Sequence, residues 1–359
     1  MFKPMTNKNK SSRLVGLDIA RSLAFLGMIL VNFRLAMEVV DSDFAWLLTA
    51  FESLQGRSAT LFVVLAGVGL QLSLGQQNFA EARRRTWKRA AFLFVLGMLN
   101  YSIFPADIMH YYAVYFTIAA CCLSLTRWQI LLSIVALMLL SISLFFILDY
   151  TKGWNFASLT YVSFASVEGM GQDFVRHTFF NGWHPVLPWL SFLLWGMWLA
   201  HAQLHLRATQ WRMMLCGAVV AAVCYGLSYV GKIWFPRYQD WFSVEAMPPM
   251  PLFVVATMAT ASVMIGLCCF LSQNFSETRL MQWVQKYLAP VGQMTLSLYV
   301  GHILLGMGVL EEIGWLKGRS LVDVLIAATV FFVFSIVFAQ TWRRFFQHGP
   351  LETLMRRLS

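Results

Sequence analysis

Long apolar runs separated by short polar segments divide the chain into ten pieces, each about the length that a bilayer-crossing helix requires. A membrane span needs about 20 mostly apolar residues. We therefore predict an all-α, polytopic membrane helix bundle with about ten transmembrane helices, eleven being the alternative. The ten segments are 15–36, 58–76, 89–105, 107–125, 128–149, 185–204, 211–231, 249–271, 289–309 and 320–341. The weaker stretch 43–55 is too short to cross, and we expect it to lie along the outer interface.

The composition supports the same fold class. Hydrophobic residues make up 58% of the chain and charged residues only 12%, against about 25% charged residues in soluble domains. Too few polar side chains remain to cover a soluble globule, which excludes soluble enzymes, disordered chains and secreted disulfide scaffolds. The six cysteines all fall within apolar runs, and we interpret them as packing residues.

The basic residues predict the orientation of the bundle. Lys and Arg concentrate in the N-terminus 1–14, in the loop before the third span and in the tail 343–359. Since basic residues favour cytoplasmic segments, ten spans with both termini inside fit best. Eleven spans would put the RRRTWKR loop or the basic tail outside. The net charge of +10 is spread between apolar runs without a basic stripe, so we predict no nucleic-acid binding.

We predict a single transmembrane domain over 1–359 with two notable segments outside the spans. Residues 150–184 form a long extracytoplasmic loop in which aromatic residues and glycine outnumber charges. That composition favours a loop folded over a cavity. The tail 343–359 carries apolar residues on one face of a short helix, which indicates an amphipathic anchor on the inner leaflet.

Polar side chains inside apolar spans are costly and mark candidate functional sites. In the first span, Asp18 and Arg21 share a helix face, and Asn32 follows eleven residues after Arg21 on about the same face. One interpretation is a polar face that lines a tunnel. The other is an ion pair at the helix end and an asparagine that bonds to a neighbouring helix.

Histidines near the fourth and sixth spans are candidate bases. Asp107 and His110 are three residues apart, so a carboxylate–imidazole hydrogen bond could orient the histidine as a general base. A capped helix start is the alternative. His184 precedes Pro185 at the expected mouth of the bundle, where it is either a proton acceptor or an interfacial residue without a role. Tyr112 follows in the fourth span.

The ninth span brings Tyr299 and His302 deep into an apolar segment. A histidine at mid-span is hard to solvate, and we expect it to face a polar cavity or a partner helix. His201 and His205 are four apart on one helix face, but we expect them on a cytoplasmic surface. We predict no metal site.

Six segments occur in a characteristic order: LDIARSLAFLGMILVN, a glycine-rich second span, ADIMHYYAVYF, HPVLPWLSFLLWGMWL, MTLSLYVGHILLG and FFQHGPLETLMRRL. Together they resemble, over almost the whole chain, the YeiB-like bacterial membrane proteins. These are relatives of the heparan-alpha-glucosaminide N-acetyltransferases in the transmembrane acyltransferase superfamily. The resemblance implies a multi-pass protein of the bacterial inner membrane whose helices enclose a tunnel. It further implies transfer of an acyl group, expected to be acetyl, from cytosolic acyl-CoA to an extracytoplasmic carbohydrate or envelope acceptor.

The resemblance also implies roles for individual residues. Arg21 matches a first-span arginine on the donor side. Asn32 stands where the wider group often has a histidine; the heparan-type relatives also have asparagine there, and their catalytic histidine follows in the next outer segment. This chain has no histidine between Asn32 and His110. The candidates for the base are therefore His184 and the Asp107–His110 pair.

Further residues complete the expected acyltransferase site. Cations at the inner mouth would bind the phosphates of acyl-CoA, although the positive-inside rule also explains them. Asn32 or Tyr299 could donate a hydrogen bond to the developing oxyanion. The candidate cations are Arg83, Arg84, Arg85, Lys88 and Arg89, and the residues expected to line the tunnel are Asp18, Tyr112, Tyr299 and His302.

Two other functions fit the same residues. A transporter or exporter of a small amphipathic solute would use the polar tunnel without making bonds. A non-catalytic scaffold in envelope assembly would not depend on the polar residues. The many aromatic side chains also leave a homodimer open.

Overall fold

Helices account for nearly all the regular structure. The computed structural model describes residues 13–39, 44–75, 78–156, 159–161 and 170–359. Of the predicted basic N-terminus 1–14, only the last two residues are described. Part of the predicted loop 150–184 also lies outside the described residues. The helices are α1 Val15–Ala36, α2 Ala45–Leu54, α3 Arg57–Leu72, α4 Phe79–Tyr101, α5 Met109–Cys122, α6 Arg127–Ile147, α7 Met170–Arg176, α8 Val186–Ala200, α9 Arg207–Trp234, α10 Pro251–Asn274, α11 Arg279–Gln293, α12 Thr295–Gly301, α13 Gly308–Glu312, α14 Leu321–Trp342 and α15 Pro350–Leu358.

Each of the ten predicted apolar segments contains a helix, which confirms a polytopic helical membrane protein. Within the described residues, six helical stretches are long and apolar enough to cross a membrane, and a bent pair adds a seventh. The helix α4 begins with basic residues, and α5 and α8 have only 14 and 15 residues. The six stretches are α1, α2 with α3, α6, α9, α10 and α14.

The stretch 43–55 does not form the separate interfacial segment that we predicted. Instead α2 and α3 together make one candidate span of 28 residues. The joint between them is Gly56, whose φ of +73° is a left-handed conformation that glycine adopts without strain. The second span is therefore longer than its apolar run indicated.

The bundle is organised around α1, which packs against α3, α10, α11 and α14. Most of α1 and α10 is buried, whereas α6, α9 and α14 expose most of their apolar surface, as lipid-facing helices do. Close crossings use glycine. Gly292 of α11 lies against the backbone of Asp18, and a Cβ at that position would collide with it.

The predicted ninth span is broken. The helices α11 and α12 meet at an angle of 72°, with Met294 between them. A π-helical turn, His302–Met307, then joins α12 to α13. The backbone N–H groups of Leu296 and Ser297, at the start of α12, donate hydrogen bonds to Oε1 of Glu352 at 2.8 and 3.1 Å. The tail helix α15 is thereby docked at the break.

The loop between α6 and α8 folds back onto the bundle where it is described. It contains a small antiparallel hairpin, β1 Trp154–Asn155 with β2 Thr160–Tyr161, which is the one departure from an all-α fold in the described residues. After α7, a π-helical turn spans His177–Asn181. The side chain of Asn181 donates to the carbonyls of Tyr150 and Lys152, both at 2.9 Å. These bonds close the loop upon itself.

Candidate active site

A cavity of about 220 Å³ lies between α1, α3, α4, α5, α12 and α15, and we call it the arginine cavity. Arg21 and Arg89 bring two positive charges to a wall that is otherwise mostly apolar. Gly69 leaves room for Arg21, because a Cβ there would stand 3.1 Å from Nη2. The lining residues are Arg21, Phe62, Ala66, Gly69, Leu70, Arg89, Leu93, Ile108, Met109, Tyr112, Phe116, Thr295, Leu296, Tyr299 and Met355.

Arg21 is held in place from behind by Asp18. Nη1 of Arg21 donates to Oδ1 of Asp18 at 2.8 Å, while Oδ2 accepts from Nε of Arg13 at 2.8 Å and from Nε2 of Gln293 at 3.1 Å. Asp18 is only 2% exposed and does not line the cavity that we predicted it to line. The buried carboxylate thus orients Arg21, and three donors compensate its charge.

The five cations that we predicted to lie in a loop before the third span belong to the helix α4, and they divide by helical periodicity. Arg83, Arg84 and Lys88 are exposed, whereas Arg85 and Arg89 are half-buried and face the bundle. Residues four apart share a helix face, which explains why these two point together. Within the described residues, Nε of Arg89 is buried without a hydrogen-bond partner. Arg89 is therefore a cation available to a ligand.

A second, smaller cavity of about 40 Å³ contains Asn32 and His184, and we call it the histidine cavity. Arg21 and Asn32 are eleven residues apart on α1, about 16 Å along the helix axis. Ile108 and Tyr299 belong to the walls of both cavities. The lining residues are Met28, Val31, Asn32, Leu54, Gly56, Ser58, Ala59, Ala106, Ile108, His184 and Tyr299.

Tyr299 forms the partition between the two cavities. Its hydroxyl accepts a hydrogen bond from the backbone N–H of Ile108 at 3.3 Å, and its side chain is buried. The hydroxyl also interacts with the carboxylate of Asp107. Two cavities therefore share Ile108 and Tyr299 in their walls, and a continuous tunnel between them stays a prediction.

Asn32 is positioned by His302, which is completely buried. Nδ2 of Asn32 lies 2.9 Å from Nε2 of His302, and Nδ1 of His302 bonds to the carbonyl of Tyr299. Since a carbonyl can only accept, Nδ1 carries the proton and Nε2 accepts from the Asn32 amide. His302 does not line either cavity; it fixes the amide that does.

His184 is the histidine in the wall of the histidine cavity. Its backbone carbonyl accepts from the hydroxyl of Tyr115 at 2.5 Å, and its ring packs edge-on against Trp189 with centroids 4.6 Å apart. Nδ1 of His184 is buried and has no hydrogen-bond partner in the described part of the chain. The imidazole is thus rigidly placed and available for proton transfer.

The Asp107–His110 pair does not form the hydrogen bond that would orient a base. Oδ2 of Asp107 accepts from the N–H of Met109 at 2.8 Å, and Oδ1 accepts from Nδ2 of Asn100 at 3.3 Å. Nδ1 of His110 lies 4.0 Å from Oδ2, beyond hydrogen-bond range. The geometry is that of the alternative we considered, a capped helix start.

His177, which lies in the predicted outer loop and was not among the candidate bases, belongs to a cluster around Tyr111. The hydroxyl of Tyr111 lies 3.0 Å from Nδ1 of His177 and accepts from the N–H of Trp183 at 3.2 Å. The rings of His110, His177 and His184 stand 3.9, 6.0 and 5.7 Å from the Tyr111 ring, centroid to centroid. Only the folding of the outer loop brings them together.

A third cavity, of about 630 Å³, opens between the described start of the outer loop and the segment after α9. We call it the aromatic cleft. Ala246, in the segment that borders it, packs against Gly56, which lines the histidine cavity. The lining residues are Phe145, Tyr150, Thr151, Phe156, Lys232, Gln239, Asp240, Trp241, Ser243, Glu245, Met247, Pro248 and Met250.

Comparison with known families gives two matches. Residues 13–232 match a family model described as "Heparan-alpha-glucosaminide N-acetyltransferase, catalytic". The chain belongs to this family. The match covers more than half of the chain and confirms the resemblance found in the sequence. Residues 196–359 match a second model, described as "Protein of unknown function (DUF418)". None of the curated proteins that were compared matches the chain.

The candidate site is built from both matched regions. The heparan-alpha-glucosaminide N-acetyltransferase match contains Arg21, Asn32, Arg89 and His184, while Tyr299 comes from the region matched by the second model alone. Tyr299, which forms the partition between the cavities, therefore comes from the C-terminal half of the chain.

Proposed function

We propose that the protein is a membrane acyltransferase of the inner membrane of a bacterium. It moves an acyl group, with acetyl favoured, from cytosolic acyl-CoA to a carbohydrate or envelope acceptor on the opposite side. The observation that carries the proposal is the meeting of the arginine and histidine cavities at Tyr299. Arg21 and Arg89 line one chamber, and His184, whose Nδ1 has no hydrogen-bond partner in the described part of the chain, lines the other. Membership of an N-acetyltransferase family supports the reaction class.

The distribution of charge supports the orientation. Arg21 lies near the start of α1, and the arginine cavity adjoins the basic first half of α4. Because basic segments stay in the cytoplasm, ten crossings with both termini inside would open this cavity to the cytosol. The histidine cavity would then lie towards the outer face.

The arginine cavity suits the part of acyl-CoA that runs from the phosphates through the pantetheine arm to the thioester. Arg21 and Arg89 would bind phosphate oxygens through charge-assisted hydrogen bonds, while the apolar wall would contact the pantetheine arm. The thioester would then lie against Tyr299. Arg83, Arg84 and Lys88 are exposed and would attract the anion from a distance without contacting it.

The chemistry follows from the groups at the partition. An acceptor hydroxyl or amine attacks the thioester carbonyl carbon, and His184 takes the proton from the attacking atom. The new C–O or C–N bond forms as the C–S bond breaks, and the released thiolate receives the proton from the imidazolium. Asn32 and Tyr299, which line the histidine cavity, would donate hydrogen bonds to the developing oxyanion.

His184 is favoured over the Asp107–His110 pair as the base. It lines the histidine cavity, whereas the carboxylate of Asp107 caps α5. His110 is fully buried next to Tyr111 and lines none of the cavities described above.

The aromatic cleft supports a carbohydrate acceptor. Its wall combines aromatic rings with amide and carboxylate groups such as Gln239 and Asp240, a mixture that suits sugar faces and hydroxyls. The family name specifies a glucosaminide, so glucosamine is a reasonable probe acceptor. The competing function, a transporter, has less support because the histidine cavity, at about 40 Å³, is small for the passage of a solute.

The proposal is tested with purified protein, acetyl-CoA and glucosamine. Acyl transfer predicts saturable binding of CoA and release of free CoA thiol that depends on the sugar. His205→Ala, on an exposed histidine, serves as the matched control and should behave like the wild type. A transporter would bind or move its solute without thiol release, which would reject the enzyme hypothesis.

A further inference from the structure

The C-terminal helix α15 contacts the candidate site, although its sequence indicated only a surface anchor. It packs against α12 and α4, and Met355 is part of the wall of the arginine cavity. A helix that merely lay on the inner leaflet would not supply a residue to this wall. The tail is therefore part of the same assembly as Arg21 and Arg89.

Glu352 fastens the tail to the broken ninth span. Its carboxylate accepts from the backbone N–H groups of Leu296 and Ser297 and from the hydroxyl of Ser297. The same hydroxyl accepts from the N–H of Leu351 at 2.9 Å. A carboxylate at the start of a helix satisfies N–H groups that have no partner within the helix. These bonds fix the position of α15 relative to Tyr299, which lies on α12.

Docking of the tail brings Arg356 close to the cations of α4. Arg356 follows Met355, which shares the wall of the arginine cavity with Arg89, and α15 packs against α4, so that the charges of Arg356, Arg85 and Arg89 repel one another. The acids nearby are already engaged: Asp18 is bonded to Arg13 and Arg21, and Glu352 is bonded to α12. Glu352 also attracts Arg356, but one carboxylate that is already bonded to α12 leaves the three arginines with an excess of positive charge, which favours a bound anion.

The buried, unpartnered Nε of Arg89 points to the same conclusion. Leaving a buried donor unpaired is costly, and an oxygen of a bound anion would satisfy it. Arg85 and Arg89 also line a shallow groove next to the arginine cavity.

We propose that α15 completes the donor site, with Arg356, Arg85 and Arg89 binding a phosphate group at the nucleotide end of acyl-CoA and Glu352 holding the helix in place. The inference rests on the proposed function for the identity of the ligand. The shared chemistry is a phosphate group, and an anionic lipid headgroup is the other source that the experiment must distinguish.

The experiment measures binding of CoA and dephospho-CoA to the purified full-length protein by titration calorimetry in neutral detergent. Arg356→Ala should weaken CoA binding about tenfold, as expected for the loss of a charge-assisted hydrogen bond. Arg357→Ala is the matched control: both arginines are exposed, but neighbouring residues point about 100° apart around a helix, so this variant should bind CoA like the wild type. Glu352→Ala should weaken binding as Arg356→Ala does, and Glu352→Gln, which keeps an acceptor oxygen, should restore most of it.

The ligand series assigns the phosphate. If the Arg356→Ala penalty disappears with dephospho-CoA, the cluster binds the 3′-phosphate; if it persists, the cluster binds the pyrophosphate, and both results support the proposal. Unchanged CoA binding by Arg356→Ala overturns it. The proposal is also overturned if Arg356→Ala loses only the binding of vesicles that contain phosphatidylglycerol. That result would assign the cluster to lipid headgroups. Failure of the wild type to bind CoA at all would instead reject the proposed function, and this inference with it.

Discussion

The arginine cavity and the histidine cavity differ in size and in how their polar groups are satisfied. The first measures about 220 Å³ and contains guanidinium groups with few acids to pair them. The second measures about 40 Å³ and contains an amide and an imidazole that neighbouring residues hold rigidly. A large cationic chamber suits a long anionic ligand, and a small, ordered one suits a single reacting group. The difference indicates a division of labour between binding and chemistry.

The two chambers also differ in how they are built. The arginine cavity depends largely on helical periodicity within α1 and α4, which is determined by residues close together in the sequence. The histidine side depends on α8, on the joint at Gly56 and on the broken ninth span. Disruption of one chamber should therefore affect binding, and disruption of the other should affect turnover.

The largest effect is expected for His184→Gln, which removes the base and keeps a similar polar shape. Loss of general base catalysis should lower kcat for acetyl transfer to glucosamine by about a thousandfold. The affinity for CoA should stay the same, because His184 does not line the arginine cavity. Steady-state kinetics combined with calorimetry checks both quantities. A variant that keeps wild-type turnover would remove His184 from the mechanism.

Tyr299→Phe should have the next largest effect. It keeps the ring between the chambers and removes the hydroxyl that accepts from Ile108. Loss of one donor to an oxyanion lowers kcat by about a hundredfold, with little change in KM. A large fall in kcat with little change in KM, measured in a kinetic assay, would support a role for Tyr299 at the partition. An increase in KM alone would assign Tyr299 to the binding of the donor.

A smaller effect, this time in the arginine cavity, is expected for Arg89→Ala. Removal of this cation should raise KM for acetyl-CoA about tenfold and leave kcat nearly unchanged. Arg212→Ala, on an exposed arginine of α9, is the matched control. Equal KM values for the two variants would show that Arg89 does not contact the donor.

The smallest effect concerns the pH dependence of tail docking. Burial raises the pKa of Glu352 above its ordinary value, although hydrogen bonds from Ser297 and from the α12 backbone oppose the shift. Between the ordinary and the raised pKa, the folded protein holds a proton that the unfolded chain has lost. Stability is therefore lost as the pH rises through this window.

This loss of stability can be measured by thermal unfolding of the wild type and Glu352→Gln in detergent. The pH series should span the range between the ordinary and the raised pKa of Glu352. The wild type should lose stability relative to Glu352→Gln as the pH rises, because glutamine does not titrate. Parallel curves for the two proteins would contradict the assignment.

Much of the helical framework could be predicted from the sequence. The start and end of α1 coincide with the predicted first span, because a run of apolar residues with polar flanks determines both. The division of the basic residues of α4 into inward and outward sides was not predicted, because the sequence analysis placed most of them in a loop. The break at Met294 could not be predicted, because the apolar run continues through it and the partner that satisfies the freed N–H groups is Glu352, far along the chain.

The candidate site was predicted in part. Arg21, Asn32, His184 and Tyr299 line the two cavities, as a polar passage requires. The pairing of Asn32 with His302 spans 270 residues, so no local pattern reveals it. His177 was underrated because its position depends on how the outer loop folds.

The central claim is that the two chambers form one path across the membrane, and transfer into sealed vesicles tests it most directly. Protein is reconstituted into proteoliposomes that contain trapped glucosamine, and acetyl-CoA with a labelled acetyl group is added outside. The account predicts labelled N-acetylglucosamine inside the vesicles, free CoA outside, and neither product with His184→Gln. Label found only on sugar added to the same side as acetyl-CoA, or intact acetyl-CoA inside the vesicles, would contradict it.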